Sequence, residues 1–472
     1  MRWGRLGDRL HRAALLLAVV AVVLCGLAIA GLTWWLLWWT LGAKAETPNQ
    51  LDLTKIALSV AAGVGGAVAL VVAYRRQRDL ERGRFAELFG AAAEQLGDAD
   101  VAVRIAGVYA MAGVADEFAA PGRRQQCIDV LCGYLRLPFD IDEGTNHLVS
   151  RAESREEAGV RVERVYQFRQ NDSEVRRTIV KVIVNHVRRS AEVSWSDREF
   201  AFNRAVLERA DFRYAVFAGK HTSFAQAIFT GRTTFERTTF SGPHASFREA
   251  RFQDGSAVFD HAEFGSTRVE KYEVAGFGTT FNDVTFDCPT SFEHVTFRGP
   301  RTTFQGARFL GARTSFQEAK FRAELTSFER SVLDGERITF AGSEFASTRI
   351  TFTGTQFYAA TIDFDDAQLG APSRLRTRGT RETDFRHAEF HGALSFARTT
   401  LGGRTVDFSE GDFFGDISFR TTRFAANEVR FDDPAAWVGA HFDWDDNPIR
   451  KPACVKPNPW PPAPVQPPAP TR

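Results

Sequence analysis

The chain has 472 residues, enough for two or three domains, and its 59 Lys and Arg nearly balance its 58 Asp and Glu. For the chain as a whole, this balance gives no reason to expect a nucleic acid or an acidic partner. The five Cys are odd in number and scattered, which argues against a disulfide framework and a C-x-x-C metal pair. Cys127 and Cys132 are therefore expected to be buried thiols on a helix in a reducing compartment.

Residues 1–74 predict a hairpin of two transmembrane helices, with spans at about 13–40 and 56–73. The first span is uncharged, mostly apolar and longer than the roughly 20 residues that cross a bilayer. A cleaved signal peptide is the alternative, but this apolar run is too long and lacks a small-residue cleavage site at its end. It ends instead in tryptophans, which are typical of a membrane–water interface. These are Trp34, Trp35, Trp38 and Trp39.

The charges that flank the two spans predict their orientation. Arginines precede the first span and follow the second, whereas the loop between them carries only Lys44 and Lys55 against Glu46 and Asp52. The positive-inside rule then places both termini, and everything after Tyr74, in the cytoplasm. The flanking arginines are Arg2, Arg5, Arg9, Arg12, Arg75, Arg76, Arg78, Arg82 and Arg84.

Residues 75–199 predict a cytoplasmic α-helical domain, because apolar residues recur there at spacings of three and four. Gly97-Asp98 is expected to end the first helix and Pro121-Gly122 the second. Further helices are expected over about 124–135 and 175–189. The polar stretch 140–163 is expected to be an exposed connection. The domain is expected to cap the open edge of the segment that follows it, and a partner-binding helical surface is a compatible alternative.

A repeat occupies residues 200–432, and its clearest part alternates steps of five and seven residues. Two positions before each large residue stands a small or β-branched one. In extended backbone, residues i and i−2 point to the same side, so each unit sends one bulky and one compact side chain inward. The pattern predicts a β-solenoid with a coil of about 24 residues. The predicted core includes Phe304, Phe309, Phe316, Phe321, Phe328, Leu333, Phe340, Phe345, Phe352, Phe357, Phe364 and Leu369.

The units resemble those of the pentapeptide-repeat proteins, as in Ala-Asp-Phe212-Arg-Tyr, Thr-Thr-Phe240-Ser-Gly and Ala-Arg-Phe309-Leu-Gly. The resemblance implies a mainly β fold, a right-handed quadrilateral β-helix with Leu or Phe at the centre of each face. The seven-residue steps depart from the family pattern and are interpreted as longer corners, which leaves a strictly four-sided coil open. The repeat loses register at Gly265–Thr280 and Gly370–Asp384, and both stretches are expected to be loops.

The first two predicted helices of the helical domain also resemble a known element. The stretches Glu94-Gln95-Leu96-Gly97 and Val103-Arg104-Ile105-Ala106-Gly107 look like a short helical module found between a membrane hairpin and a pentapeptide-repeat tract in bacterial proteins. The usual Gly-Gly of that module is Ala106-Gly107 here. The resemblance implies a HEAT-like helix pair, a bacterial source and, with the predicted topology, a multi-pass protein of the inner membrane.

Residues 433–472 predict a C-terminal cap followed by a disordered, proline-rich tail. The bulky residues Trp437, His441, Phe442 and Trp444 break the repeat and are expected to close the last coil. From Lys451 onward the density of proline favours an extended, solvated chain, and a ligand for a proline-reading domain is the alternative.

The sequence contains no phosphate-binding loop, dinucleotide fingerprint, zinc-protease motif or nucleophile elbow, so we expect no catalytic, metal-binding or cofactor-binding residues and no enzyme. The histidines of the repeat are spread over different units at outward or corner positions. The densest acidic cluster is Asp363, Asp365 and Asp366. A weak cation site is one interpretation of this cluster, and a solvated face is the other.

The stretch between the two parts of the repeat supplies the candidate partner-binding residues Arg374, Arg376, Arg378 and Arg381. Alternating arginines are suited to an acidic partner or to phosphates, and the alternative is a soluble loop that interrupts strand pairing. The identity of the protein partner and the oligomeric state stay open, with a homo-oligomer among the options.

Three functions are compatible with these features. The first is a membrane-tethered scaffold that presents a rigid surface for protein–protein interaction. Some pentapeptide-repeat proteins resemble B-form DNA in shape and negative charge and bind DNA gyrase, which makes a DNA mimic the second. Against it, residues 201–431 carry 29 Lys and Arg and 29 Asp and Glu, whereas a mimic needs a continuous negative face. The third is a ligand-sensing membrane protein or an unrecognised enzyme.

Overall fold

A computed structural model describes residues 28, 31–32, 34–36, 39, 49–118, 120–140, 150–157, 160–265, 278–370 and 381–465. The chain divides into two compact units, Met1–Gly90 and Ala91–Arg472. An N-terminal helical region precedes a β-solenoid of about ten turns. The longer helices are α1 (Asn49–Gly97), α2 (Val101–Glu117), α3 (Pro121–Leu135) and α4 (Asp172–Val187).

One part of α1 is long and apolar enough to cross a membrane. By length and composition, Leu58–Gly97 is the one such stretch among the residues that the structure describes. The predicted span at 56–73 lies within α1, whereas most of the predicted span at 13–40 lies outside the described residues.

A buried charge cluster joins the helices of the second unit. The Asp172 carboxylate, at the start of α4, accepts hydrogen bonds from the Tyr134 hydroxyl (2.5 Å), Arg104 Nη1 (3.3 Å) and Arg176 Nε (2.8 Å). Both guanidinium groups also donate to backbone carbonyl groups, including that of Leu135. Because buried charges are costly unless paired, this network ties α2, α3 and α4 together.

The segment before α4 is exposed, as its polar composition predicts, but it has regular secondary structure. It forms a hairpin of β1 (Ser150–Glu157) and β2 (Val160–Gln167), which pair antiparallel with Ser150 opposite Gln167. Most of its side chains are exposed. Strand β1 is almost wholly polar, and the apolar residues of β2, which are Val160, Val162, Val165 and Tyr166, do not keep a period of two, so the sequence signal for this hairpin is weak.

The solenoid has four strands in each regular coil, one on each face, and each strand pairs in parallel with its equivalents in the neighbouring coils. The first face contains β3 (Phe200–Ala201), β6 (His221–Ser223), β9 (His244–Ser246), β12 (Gly278–Thr280), β16 (Arg301–Thr303), β20 (Leu325–Ser327), β24 (Arg349–Thr351), β28 (Glu382–Asp384), β32 (Thr405–Asp407), β36 (Glu428–Arg430) and β39 (Val455–Lys456). The second face contains β4 (Val206–Glu208), β7 (Ile228–Thr234), β10 (Arg251–Val258), β13 (Thr285–Phe286), β17 (Arg308–Phe309), β21 (Val332–Leu333), β25 (Gln356–Phe357), β29 (Glu389–Phe390), β33 (Asp412–Phe413) and β37 (Ala436–Trp437).

Strands β7 and β10 are long enough to continue around the corner onto the third face. That face also contains β14 (Thr290–Ser291), β18 (Arg313–Ser315), β22 (Arg337–Thr339), β26 (Thr361–Asp363), β30 (Ala393–Ser395), β34 (Ile417–Ser418) and β38 (Ala440–His441). The fourth face contains β5 (Val216–Phe217), β8 (Thr239–Phe240), β11 (Glu263–Phe264), β15 (Thr296–Phe297), β19 (Lys320–Phe321), β23 (Glu344–Phe345), β27 (Gln368–Leu369), β31 (Thr400–Leu401) and β35 (Arg423–Phe424).

The core consists of columns of stacked phenylalanine rings. On the first face, the ring centroid of Phe304 lies 4.8 Å from that of Phe281 and 4.7 Å from that of Phe328. It also meets Phe316, on the opposite face, edge to face at 5.8 Å. All the predicted core phenylalanines from Phe304 to Phe364 are at most 1% exposed.

The alternation of five and seven residues follows from two kinds of corner. Between the first and second faces, only Gln305 and Gly306 separate Phe304 from the next inward residue, Ala307. Ala307 N–H closes this turn on the Phe304 carbonyl at 2.9 Å, and Gly306 has a φ of 66°, as a type II turn requires. Between the second and third faces, four residues, 310–313, separate the inward Phe309 from the next inward residue, Thr314, so this corner is longer. Two tight and two long corners therefore make up one regular coil.

Both interruptions of the repeat leave the solenoid at the same corner, between the fourth and first faces. One follows β11 and the other follows β27, and in each case the chain returns to the first face. The strands return before the predicted ends of the loops, since Gly278–Thr280 forms β12 and Glu382–Asp384 forms β28. Residues 266–277 and 371–380 lie outside the described part of the chain.

The C-terminal segment packs on the last coil instead of extending from Lys451 as a free tail. Val455 is fully buried in β39, which pairs with β36. The Trp460 ring meets that of Phe442 edge to face at 5.0 Å, and Trp444 is 3% exposed. Aromatic burial therefore outweighs the proline content of this segment, and residues 466–472 lie outside the described residues.

Candidate interaction surface

Of the predicted partner-binding arginines, Arg381 alone falls within the described residues. It lies just before β28 and is partly exposed, and its carbonyl group accepts a hydrogen bond from the N–H of Arg404 at 2.8 Å. The stretch that contains Arg374, Arg376 and Arg378 is outside the described residues, so this prediction stays a prediction.

The carboxylates of the acidic cluster accept hydrogen bonds from arginine and serine side chains of the solenoid. Asp363 accepts from Arg337 Nη2 at 3.2 Å, and Asp366 accepts from two nitrogens of Arg398 at 2.8 Å. Asp365 accepts from the Ser395 hydroxyl at 2.6 Å. Within the described ranges, no group of His, Cys, Asp and Glu side chains is arranged to hold a metal ion.

Three of the four described cysteines are buried thiols. Cys127 and Cys132 lie buried on α3, and Cys288 is buried at a corner of the solenoid. Burial raises the pKa of Cys127 to about 11, that of Cys132 to about 12 and that of Cys288 to about 11. Because the thiolate is the reactive form, these thiols are poor nucleophiles at neutral pH.

The second face carries an exposed row of apolar and aromatic side chains, which we call the aromatic ladder. It consists of Tyr358, His391, Phe414 and Val438, which directly follow β25, β29, β33 and β37. The His391 ring lies 4.7 Å from that of Tyr358 and 5.3 Å from that of Phe414. Phe414 is 51% exposed and Val438 74% exposed. Large apolar side chains grouped on a surface mark interaction sites more often than isolated ones do.

The strand register of the solenoid places the ladder residues in a row. Phe357, Phe390 and Phe413 are inward residues in register on β25, β29 and β33, so the residue after each one points outward at the same height of its coil. Neighbouring coils are about 4.8 Å apart, which is the separation of stacked rings. The rings are thus held in position by the core behind them.

Two carboxylates stand beside the ladder in an adjacent row. Glu389 and Asp412 are paired in register on β29 and β33. Glu389 accepts a hydrogen bond from the Tyr358 hydroxyl at 2.6 Å, which lowers the pKa of Glu389. Within the described part of the chain, the Asp412 carboxylate accepts no hydrogen bond and forms no ion pair. Partial burial and then the neighbouring Glu389 raise the pKa of Asp412.

Sequence reasoning missed this surface. The ladder residues occupy variable positions of the repeat, and residues 371–380 separate Tyr358 from His391. The offset between the two therefore differs from the usual coil length, and only the strand pairing shows that they are neighbours. A signal does exist, because aromatic residues follow the inward phenylalanine in two units, as in Phe357-Tyr358 and Phe413-Phe414.

No family model, no curated protein and no solved structure matches the chain. The class of the protein therefore follows from its fold. It is a β-solenoid repeat protein, and its regular spacing of phenylalanine is consistent with a pentapeptide-repeat fold.

Proposed function

We propose that the chain is a membrane-tethered pentapeptide-repeat scaffold that presents a rigid cytoplasmic β-helix to a protein partner and carries out no catalysis. The observation that carries the proposal is the aromatic ladder, a solvent-exposed apolar surface supported by a closely packed core. Since the stacked phenylalanines stabilise the coils from inside, the outward side chains are available for recognition.

The membrane part of the proposal rests on the apolar stretch of α1 and on the flanking charges. Two spans with arginines outside both ends would place the solenoid in the cytoplasm of a bacterial cell, at the inner membrane. A reporter fused after Arg472 tests the orientation. Activity of a reporter that works only in the cytoplasm supports it, and activity of a reporter that works only outside the cell contradicts it.

Proximity labelling in native membranes tests the scaffold. The label is fused after Arg472, and the control is the same label on an unrelated membrane protein of the same orientation. We expect reproducible enrichment of one protein complex over that control. Deletion of residues 371–380 then tests whether the arginine-containing stretch contributes to the contact.

Two outcomes contradict the proposal. Enrichment of gyrase subunits would favour a DNA mimic in spite of the neutral charge of the repeat. Labelling identical to that of the control would overturn the scaffold and favour a sensing or purely structural role.

A further inference from the structure

The aromatic ladder and the carboxylates beside it form one surface with a definite chemical character. Phe414 is exposed on one side of this surface, and Asp412 and Glu389 lie in the next row on the same face. One face of the Phe414 ring is stacked on His391, and the exposed remainder of the ring lies beside the anionic oxygens on the part of the second face formed by β29 and β33.

An aromatic ring beside carboxylates favours the binding of a cationic group that is also planar or partly apolar. A ring face attracts a cation through its quadrupole, most often an arginine guanidinium. The planar guanidinium stacks on an aromatic ring and donates to a carboxylate at the same time. A purely apolar ligand would leave the Asp412 carboxylate desolvated without a partner, which is unfavourable.

We propose that this surface of β29 and β33, formed by His391, Phe414, Glu389 and Asp412, binds an arginine-rich extended segment of a partner protein. An arginine of the segment stacks on Phe414 and donates to Asp412, and Glu389 adds a second acceptor. The inference rests on the proposed scaffold function and names the surface and the chemistry of its partner.

Glu389 and Asp412 are paired in register on adjacent strands, which lie about 4.8 Å apart, and two neighbouring carboxylates favour a cationic segment over a neutral one. Partial burial, and after it the negative charge of Glu389, raises the pKa of Asp412 and so disfavours its ionised form. The Tyr358 hydroxyl and His391 partly compensate Glu389, at 2.6 and 3.6 Å. A bound cation relieves the remaining repulsion, and this relief adds to the affinity.

The test uses the full chain in detergent and a fluorescein-labelled peptide of alternating serine and arginine, followed by fluorescence anisotropy. We expect saturable binding that weakens as salt is added, because the charges are exposed to screening. A peptide in which glutamate replaces arginine should not bind.

Substitutions locate the contact. Asp412→Asn should weaken binding about 10-fold, since it removes a charged acceptor. Phe414→Ala should weaken it about 2- to 5-fold through the lost stacking. The matched controls are Glu324→Gln, an exposed carboxylate at another corner, and Tyr214→Ala, whose ring is also 51% exposed. Both controls should leave the affinity unchanged, and thermal melting checks that every variant is folded.

Equal affinity of the Asp412→Asn and parent chains, or absence of saturable binding, would overturn the assignment. So would concentration-dependent dimerisation that Phe414→Ala abolishes, because the ladder would then belong to a contact between copies of the chain. If proximity labelling still enriches a partner while the arginine peptide does not bind, the scaffold function stands and only this surface assignment fails.

Discussion

The side-chain amide of Gln125 occupies the place that a preceding coil would take beside Glu199. Its Nε2 donates to the Glu199 carbonyl at 2.8 Å, and its Oε1 accepts from the Glu199 N–H at 3.0 Å. Glu199 directly precedes β3, the first strand of the first face. Helix α3 therefore completes the hydrogen bonds at an edge of the solenoid that would otherwise be open to other strands.

Replacement of Gln125 by alanine should lower the free energy of unfolding by about 0.5–1.5 kcal/mol, because both bonds are lost at a partly solvated site. Amide hydrogen exchange at Glu199 and in β3 should accelerate, while exchange in the central coils stays as in the parent chain. Gln317→Ala, at an exposed position in the tight corner that follows the third face, is the control. Equal exchange at Glu199 in both variants would show that α3 does not protect this edge.

Removal of the Asp172 carboxylate should destabilise the helical domain more than any surface change. Asp172→Ala leaves the buried Arg104 and Arg176 without their shared counter-ion, which costs about 3–5 kcal/mol. Chemical denaturation followed by far-UV circular dichroism measures the loss. Glu174→Ala is the control on the same helix, since Glu174 forms a solvent-exposed pair with Arg177 at 2.8 Å. A similar effect of the two substitutions would contradict a structural role of the buried cluster.

The regular coils were predictable because their periodicity is local. A step of five or seven residues is visible wherever Phe or Leu is inward, and the corners account for the alternation. The hairpin of β1 and β2 was not predicted, since β1 is almost wholly polar and the alternation that β2 begins at Val160 and Val162 is lost at Val165. The packing of Val455 and Trp460 was also hidden, because composition reports the local preference of a proline-rich segment and not its distant contacts. The aromatic ladder could not be predicted, because Tyr358 and His391 are neighbours only through the pairing of β25 with β29, and residues 371–380 separate these strands in the sequence.

A column of close backbone contacts at the corner between the second and third faces explains the glycines there. A Cβ at Gly415 would lie 2.1 Å from the carbonyl oxygen of Gly392, and a Cβ at Gly439 would meet that of Gly415. Gly415→Ala should therefore destabilise the solenoid by about 1–3 kcal/mol through overpacking. Gly113→Ala, in the middle of α2 with no atom within 4 Å, should stabilise the chain by about 1 kcal/mol. Melting temperatures that move in the same direction would contradict this account.

His186 should make stability depend on pH near neutrality. Burial lowers the pKa of His186, but hydrogen bonds to Asp116 (3.0 Å) and to the Val182 carbonyl (2.7 Å) outweigh burial and raise the pKa above its usual 6.5. The folded state therefore binds the proton more tightly than the unfolded state. This contribution to stability is fully present below pH 6.5 and is lost as the pH rises through the pKa of the folded state.

The difference in unfolding free energy between the parent chain and His186→Gln isolates this contribution from other titrating groups. The difference should be largest at mildly acidic pH and should decrease as the pH rises above 6.5, the usual pKa of histidine. Trp195 reports the same event, because its Nε1 donates to Asp116 at 2.8 Å and its ring stacks on His186 at 4.0 Å. A difference that stays constant across this range would mean that the protonation of His186 is not linked to folding.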